Sequence, residues 1–347
     1  MTTGRIRGDP LHVDRFAPEP RVTLADVARH AQVSKTTVSH VISGKRPVAA
    51  ATRERIERSI AALGYRPDGL ARSLRTRRSH TVALIVPDLT NPFYPALARG
   101  LEECLDHDGY RAIICSSDGL PDRERAYLQD VTDRSVDGLV LDSFHLSVDD
   151  LHGATGGRVP LVWIGGTPLD HPGVDSVRPN DEEGAYAATR HLIERGHREI
   201  AMIDGPAGSG TARREGYRRA LAEAGLPSSR EPLVRSDWTR ADGARAMRQL
   251  LASPPTAVFC SNDLTAIGAI DAIREVALSV PDDVAVVGYD DIELASLIAP
   301  ALTTVQNPAA ETGRTAGRML VERMRGDVEG PARSVTLPSS LIVRDSS

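Results

Sequence analysis

The segment that most constrains this fold is residues 23–43, TLADVARHAQVSKTTVSHVIS. Apolar residues recur at helical spacing on both sides of Gln32-Val33-Ser34, which predicts two short helices joined by a tight turn. In the second predicted helix, 35–42, the apolar residues Val38, Val41 and Ile42 would face the interior. The opposite face carries polar side chains that can approach a DNA major groove: Lys35, Thr36, Thr37, Ser39 and His40. This pattern is typical of a helix-turn-helix.

Two short helices with an apolar seam are common in helical proteins, so the next segment matters for this interpretation. A third amphipathic helix is predicted over 52–63, and it ends at Gly64-Tyr65. The chain then reads RPDGLARSLR over 66–75. This order, with the strings TTVSHVI and ARSL, resembles the LacI/GalR repressor family, particularly its purine-repressor branch. The resemblance runs from about Val22 to the C-terminus.

The resemblance implies how the helix-turn-helix would contact DNA. Three residues on the exposed face would contact bases: Thr36, His40 and, at the rim, Lys35. Three hydroxyl side chains would contact phosphates: Thr23, Thr37 and Ser39. Thr23 is also suited to cap the first helix.

Residues 68–75 match the hinge helix of the family. Isolated helices this short are marginal in water, so we expect the segment to be unfolded in the free protein and helical on DNA. Leu74 would act as the minor-groove wedge, beside Ala71 and Arg75. A plain tether with an incidental leucine is the alternative.

The distribution of charge agrees with a nucleic-acid partner for the N-terminal part. Residues 1–80 contain 16 Lys and Arg against 7 Asp and Glu, while the whole chain contains 42 against 47. Residues 81–347 therefore contain 26 basic and 40 acidic residues. A basic head on an acidic body indicates that the head binds nucleic acid and the body has another task.

The cysteine pattern and the lack of a recognisable signal peptide predict a cytoplasmic protein. Cys104, Cys115 and Cys260 are odd in number and lack metal-ligand spacing, so we expect buried, reduced thiols. Nothing near the N-terminus resembles a signal peptide, and no apolar run approaches the length of a membrane span. No metal or cofactor is predicted.

The body is predicted to be α/β. Apolar strands alternate with helices, and their number exceeds one comfortable sheet, which favours two doubly wound parallel-sheet lobes. The predicted strands are 82–86, 112–115, 138–142, 161–164, 200–203, 257–260 and 284–287. The resemblance implies a periplasmic-binding-protein-like body with crossovers near 177–181, 304–309 and 333–337, and a helix near 311–325 that returns to the first lobe. The predicted regions are a disordered lead-in (1–20), an all-α helix-turn-helix domain (21–66), a hinge and linker (67–79), and the effector-binding and dimerisation body (80–347).

Ligands of open α/β sheets bind beyond the carboxyl ends of the strands. Polar and aromatic residues follow the predicted strands at these ends, and Trp238 and Arg213 belong to patterns of the family. The candidate effector-binding residues are Asp88, Phe93, Tyr94, Arg213, Trp238, Asn262 and Asp290. The Asn and Asp side chains can hydrogen-bond to the hydroxyl groups of a ligand, and the aromatic side chains can stack on a ligand ring.

Several of these residues have structural alternatives. Asp88 and Asn91 could cap a helix, Phe93 could belong to the core, and Asp263 is expected to cap the helix that begins at position 264. The choice between Ser209 and Thr211 as a polar contact stays open, because the loop looks shorter than in relatives.

Gly165-Gly166 replace an acidic residue and a tryptophan of the purine branch. This difference favours a sugar over a nucleobase as the effector, although the nucleobase remains the alternative.

No motif for a nucleophile, a phosphate loop or a catalytic metal is recognisable in the sequence. The prediction is a transcriptional regulator, a dimeric repressor of a near-palindromic operator controlled by a small effector. A solute-binding protein is the alternative from another class, and the helix-turn-helix argues against it.

Overall fold

A computed structural model describes residues 22–44, 46–66, 78–133, 136–147, 150, 151, 153, 159–165, 174–206, 210–226 and 233–347. The chain divides into two compact units, residues 1–77 and 78–347. None of the described helices is long and apolar enough to cross a membrane.

The first unit contains three described helices, and the tight turn between the first two lies where the sequence predicted it. They are α1 (Leu24–His30), α2 (Lys35–Ser43) and α3 (Ala50–Leu63). Gln32 adopts a left-handed conformation in the turn, with φ 53°. The helices enclose a small core of Val27, Ala28, Ala31, Val38, Val41 and Ile56. This core fixes α2 with its polar face turned outwards.

The first lobe of the second unit is built on a six-stranded parallel sheet. Its strands are β1 (Thr81–Val86), β2 (Arg111–Ser116), β3 (Gly138–Asp142), β4 (Leu161–Ile164), β5 (Asp175–Pro179) and β11 (Ser334–Leu337). They lie in the order β11-β5-β4-β3-β1-β2. Helices α4 (Phe93–His107) and α11 (Ala309–Arg325) pack on one face and α5 (Pro121–Asp133) on the other. A glycine allows α4 and α11 to approach closely, since a Cβ at Gly313 would lie 2.0 Å from the carbonyl oxygen of Leu97.

The second lobe contains a four-stranded parallel sheet in the order β7-β6-β8-β9. These strands are β6 (Ile200–Asp204), β7 (Leu233–Arg235), β8 (Ala257–Cys260) and β9 (Ala285–Val287). The helices are α6 (Asp181–Glu194), α7 (Thr211–Glu223), α8 (Arg240–Leu250), α9 (Asp263–Glu275) and α10 (Glu293–Leu297). An antiparallel pair, β10 (Thr304–Gln306) and β12 (Ser340–Ile342), completes the lobe. Apolar side chains cover both faces of the sheet.

The chain crosses between the lobes after β5, after β10 and after β11. The backbone amide of Asn180 donates to the carbonyl of Leu337 at 2.8 Å, which joins the first and third crossovers. The seven predicted strands are present, and α11 packs in the first lobe as expected. The third predicted crossover, 333–337, is largely strand β11, and the crossing follows it. The predicted fold class, in which two doubly wound lobes follow a helix-turn-helix domain along the chain, is confirmed.

Candidate DNA-reading surface and effector cleft

Helix α2 presents the residues that the sequence predicted to contact bases. Lys35 and Thr36 are exposed, and His40 is partly exposed in the last turn. Ser34 caps the helix, because its hydroxyl oxygen accepts a hydrogen bond from the amide of Thr37 at 3.1 Å. Ser39 also lies partly exposed on this helix. Base contact by these side chains stays a prediction.

Two of the predicted phosphate contacts have a local structural task. Thr23 forms a capping box with Asp26, in which the Thr23 hydroxyl lies 2.7 Å from the carboxylate. The hydroxyl oxygens of Thr37 and Ser34 lie 2.8 Å apart. Such contacts orient hydroxyl groups at the start of each helix, where backbone amides favour an anion. The hinge residues Ala71, Leu74 and Arg75 lie outside the described residues.

Arg213, in the first turn of α7, is the centre of the candidate effector cleft. Its Nε lies 3.2 Å from Asp181 Oδ1, and its NH2 lies 3.5 Å from Asp290 Oδ1. Its NH1 donates to the carbonyl of Ser261. The guanidinium carbon lies 3.9 Å from the ring centroid of Tyr289. Because Arg213 is 8% exposed, these contacts form in a largely desolvated environment.

Asp290 follows β9 and is held in an unusual conformation, with φ 105°. The backbone amide of Asp290 donates to the carbonyl of Val305 at 2.8 Å, and the side-chain amide of Asn307 donates to Asp290 Oδ1 at 3.1 Å. Burial raises the pKa of Asp290 to about 6, although Arg213 and Asn307 favour the ionised form. The carboxylate is therefore firmly placed and poorly solvated, as in a ligand-binding group.

Trp238 forms an aromatic wall of the cleft. Its indole nitrogen donates to Ser261 Oγ at 2.8 Å, and the side-chain amide of Asn262 donates to its backbone carbonyl at 3.0 Å. A Cβ at Gly205 would lie 2.2 Å from that indole nitrogen. Only glycine at position 205 therefore allows the ring to occupy this position.

The first lobe contributes Tyr94 and two residues that the sequence prediction missed. Tyr94 lies in the first turn of α4, and burial together with the charge of Asp142, the last residue of β3, raises the pKa of its hydroxyl. Burial raises the pKa of Asp142 to about 7. Phe144, two residues further on, meets Trp238 edge to face across the lobes, with the ring centroids 4.9 Å apart. Asp142 lies at the carboxyl end of a strand, and the same kind of position had identified the other candidates in the sequence.

Two predicted candidates, Phe93 and Asp88, have structural tasks of their own. Phe93 is 9% exposed and belongs to the core of the first lobe. The carboxylate of Asp88 accepts hydrogen bonds from the amide and hydroxyl of Thr90, so it stabilises a local turn rather than capping α4.

The expectation that Asp263 caps α9 is wrong. Asn262 is the cap, because its side-chain oxygen accepts from the amide of Thr265 at 2.8 Å. With its side-chain amide bound to Trp238, Asn262 positions the wall of the cleft. Asp263 is buried below it and accepts from the hydroxyl of Thr304 and the amide of Ile292. The physical reason is that Asp263 is the first residue inside the helix and its carboxylate is already paired within the lobe, so the capping position before the helix belongs to Asn262.

The sequence left open whether Ser209 or Thr211 makes a polar contact with the ligand. Thr211 belongs to the described residues and is the first residue of α7. Its hydroxyl lies 3.4 Å from the NH2 of Arg214. Ser209 and Gly166 lie outside the described residues. Gly165 follows β4 with φ 139°, a conformation that a side chain would rarely adopt.

Comparison with known proteins gives the family of the chain. The model for bacterial regulatory proteins of the lacI family matches residues 23–68, and that for a periplasmic binding protein-like domain matches residues 189–347. The HTH-type transcriptional repressor PurR of Aliivibrio salmonicida (strain LFI1238) is 36% identical over 310 residues, covering 87% of this chain and 92% of the relative. The chain belongs to the LacI family.

Other LacI-family members agree with both parts of the chain. The ribose operon repressor of Escherichia coli (strain K12) is 40% identical over 309 residues, which cover 87% of this chain and 93% of that repressor. A crystal structure of the lac repressor dimer bound to operator and the anti-inducer ONPF matches with a TM-score of 0.84 at 27% identity, covering 94% and 99% of the two chains. These relatives are transcriptional repressors.

Proposed function

We propose that this protein is a transcriptional repressor that binds a near-palindromic operator as a homodimer and is controlled by a small effector in the cleft. The observation that carries the proposal is the outward polar face of α2, with Lys35, Thr36 and His40, in a chain of the LacI family. The lac repressor structure, a dimer on its operator, supports the dimer. We also propose that its task is binding rather than catalysis and that it acts in the bacterial cytoplasm, where operator DNA would be found.

Selection of binding sites from random DNA tests the DNA-binding part of this proposal. We expect a near-palindromic consensus and a dimer in sedimentation. If the dimer makes about 6–10 phosphate contacts, log K should fall against log salt with a slope of about −5 to −9. A slope near zero, or a monomer that does not associate, would contradict the proposal.

The hinge segment is proposed to bind the minor groove of the same operator DNA. Leu74 would insert between base steps, and Arg75 and Ala71 would lie beside it in the minor groove. Leu74→Ala should abolish operator preference while weak nonspecific binding persists, as measured by anisotropy with operator and scrambled DNA. Retained preference would exclude the wedge.

The effector is proposed to be a small polyhydroxylated molecule, in the first instance a sugar. Asp290 and Arg213 supply acceptor and donor groups for ring hydroxyls, and Trp238 and Tyr94 supply apolar ring faces. A nucleobase is the second candidate, since a relative at 36% identity is named PurR. A thermal-shift screen decides, because a ligand at 100 times its dissociation constant stabilises by about 2.7 kcal/mol.

A further inference from the structure

Helix α7, which carries Arg213, has an unfavourable start. Gly210 precedes it with φ 70°, no described side chain caps it, and its first turn contains no acidic residue. Its third and fourth residues are instead Arg213 and Arg214. Cations near a helix N-terminus are unfavourable, because the backbone amides there already carry partial positive charge. A negative charge from another part of the lobe would therefore stabilise this turn.

Asp204, the last residue of β6, supplies such a charge. Its Oδ2 lies 2.7 Å from Arg214 NH1, and its Oδ1 accepts a hydrogen bond from the amide of Gly205 at 2.9 Å. A Cβ at Gly210 would lie 3.0 Å from the same Oδ1, so the carboxylate lies against the residue that precedes α7. The Asp204 side chain is fully buried, and that of Arg214 is 15% exposed. The pair therefore joins the end of β6 to the first turn of α7 in a largely desolvated environment.

Asp204 also supports the indole ring of Trp238. Its backbone carbonyl accepts hydrogen bonds from the amide and the hydroxyl of Ser236, both at 2.9 Å. The Ser236 hydroxyl oxygen in turn accepts one from the amide of Trp238 at 3.4 Å. A Cβ at Gly210 would lie 3.7 Å from the indole ring. Asp204 is thus bound through its carboxylate to α7 and through its carbonyl to the segment that carries Trp238.

Two neighbouring arginines of α7 are held by different carboxylates. Arg213 pairs with Asp181 and Asp290 in the cleft, whereas Arg214 pairs with Asp204. Adjacent residues of a helix project about 100° apart, so these ion pairs hold the turn from two sides. A buried ion pair adds little stability compared with apolar side chains of similar volume, because both charges lose their hydration. The consequence of the Asp204 pair is therefore the position of the turn.

We propose that Asp204 is a positioning residue for effector binding. Through Arg214 it fixes the first turn of α7, which carries the donor group of Arg213. Through Ser236 it fixes Trp238, the aromatic wall of the cleft. Its own carboxylate is fully buried and acts on the effector only through these groups. The inference rests on the proposed function, in which the cleft holds a small polyhydroxylated molecule.

The test uses the full-length protein with Trp163→Phe, so that tryptophan emission reports on Trp238. In Asp204→Ala we expect stronger quenching of this emission by acrylamide. Calorimetry with D-ribose and D-glucose should show binding about 10- to 100-fold weaker than in the parent protein. Formate can enter the space of the lost carboxylate and should restore part of both properties, whereas chloride at the same ionic strength should not.

Asp271→Ala is the matched control. Asp271 also lies 2.7 Å from an arginine, Arg240, but the side chains of that pair are 34% and 62% exposed. Because exposed ion pairs contribute little, this variant should keep the quenching and the sugar affinity of the parent protein.

A double variant, Asp204→Leu with Arg214→Met, separates position from stability. Apolar replacement of a buried ion pair leaves stability nearly unchanged, so its melting temperature should lie near that of the parent protein and above that of Asp204→Ala. The sugar affinity should stay low and the quenching strong, because the turn has lost its charged anchor. Recovery of both together with the melting temperature would show a purely structural role and overturn the inference.

Two further outcomes would overturn it. One is parental quenching and sugar affinity in Asp204→Ala, and the other is formate that restores no more than chloride does. The DNA sites obtained by selection are titrated with the same preparations. A parent protein that binds neither these sites nor either sugar would count against the proposed function, and the quenching of Trp238 would then decide the role of Asp204 by itself.

Discussion

Replacing Gly205 by alanine should dislodge Trp238 from the wall of the cleft. The new Cβ would lie 2.2 Å from the indole nitrogen and 2.3 Å from the adjoining ring carbon Cε2. The ring cannot yield by a small shift, because its nitrogen is bonded to Ser261 and its backbone carbonyl to Asn262. The variant must therefore give up the indole hydrogen bond and move the ring.

The cost follows from these contacts. Overpacking costs about 1–3 kcal/mol, and the lost hydrogen bond adds about 1 kcal/mol. In a unit of this size, 1 kcal/mol lowers the melting temperature by about 2–4 °C, so Gly205→Ala should melt about 5–15 °C below wild type. Trp163 and Trp238 are the two tryptophans of the chain, so the emission spectrum should also change.

Gly225→Ala is the matched control. Gly225 has a positive φ, 68°, but a Cβ there would meet no atom within 4 Å. This variant should lose some stability through backbone strain and keep the wild-type emission and ligand affinity. If Gly205→Ala kept them too, the placement of Trp238 against Gly205 would be wrong.

Three further predictions concern other parts of the molecule. Burial raises the pKa of Asp142 to about 7, above its unfolded value, so its contribution to stability is present at low pH and lost as pH rises towards 7. Between pH 4 and 7 the melting temperature should therefore fall less, or rise more, in Asp142→Asn than in wild type, and equal slopes would contradict this. The side chain of Asp175 is 1% exposed and forms ion pairs with Arg323 and Arg333. Asp175→Ala should therefore lower the free energy of unfolding, measured with urea, by about 3–5 kcal/mol. A loss below about 1 kcal/mol would contradict the buried state of these two ion pairs. His40→Ala should relax preference at one base pair per half-site by about 1–3 kcal/mol in a selection experiment, while Glu54→Ala, exposed on α3, should not.

The elements that the sequence predicted are those with strong periodic patterns. Strands such as β1 and β8 are continuous apolar runs, and their bounds agree closely with the prediction. The unpredicted strands are short or carry polar residues, as β11 does, with alternating exposed positions. Such strands form because neighbouring strands supply hydrogen bonds, and local pattern alone does not reveal that.

The cleft was predictable in part for a related reason. Asp290, Arg213 and Trp238 could be found because they lie at strand or helix ends and match patterns of the family. The exchange of tasks between Asn262 and Asp263 could not, since both are good caps and only the partners of Asp263 in the lobe decide. Asp142 carries the same signal, since it is the last residue of β3, but its closeness to Tyr94 emerges only when β1 and β3 lie side by side in the sheet.

The central claim is that a ligand in the cleft changes the affinity for the operator. Its most direct test is an operator titration by fluorescence anisotropy, with and without the sugar that the thermal-shift screen identifies, in wild type and Asp290→Ala. A ligand changes DNA affinity only through different affinities for two states, typically by about 1–3 kcal/mol, which is a factor of about 5 to 150. We expect such a change in wild type and none in the variant. For an inducer, the variant should bind operator at all ligand concentrations; for a corepressor, it should bind weakly at all of them. A variant that responds like wild type, or a wild type whose operator affinity ignores a bound sugar, would contradict the account.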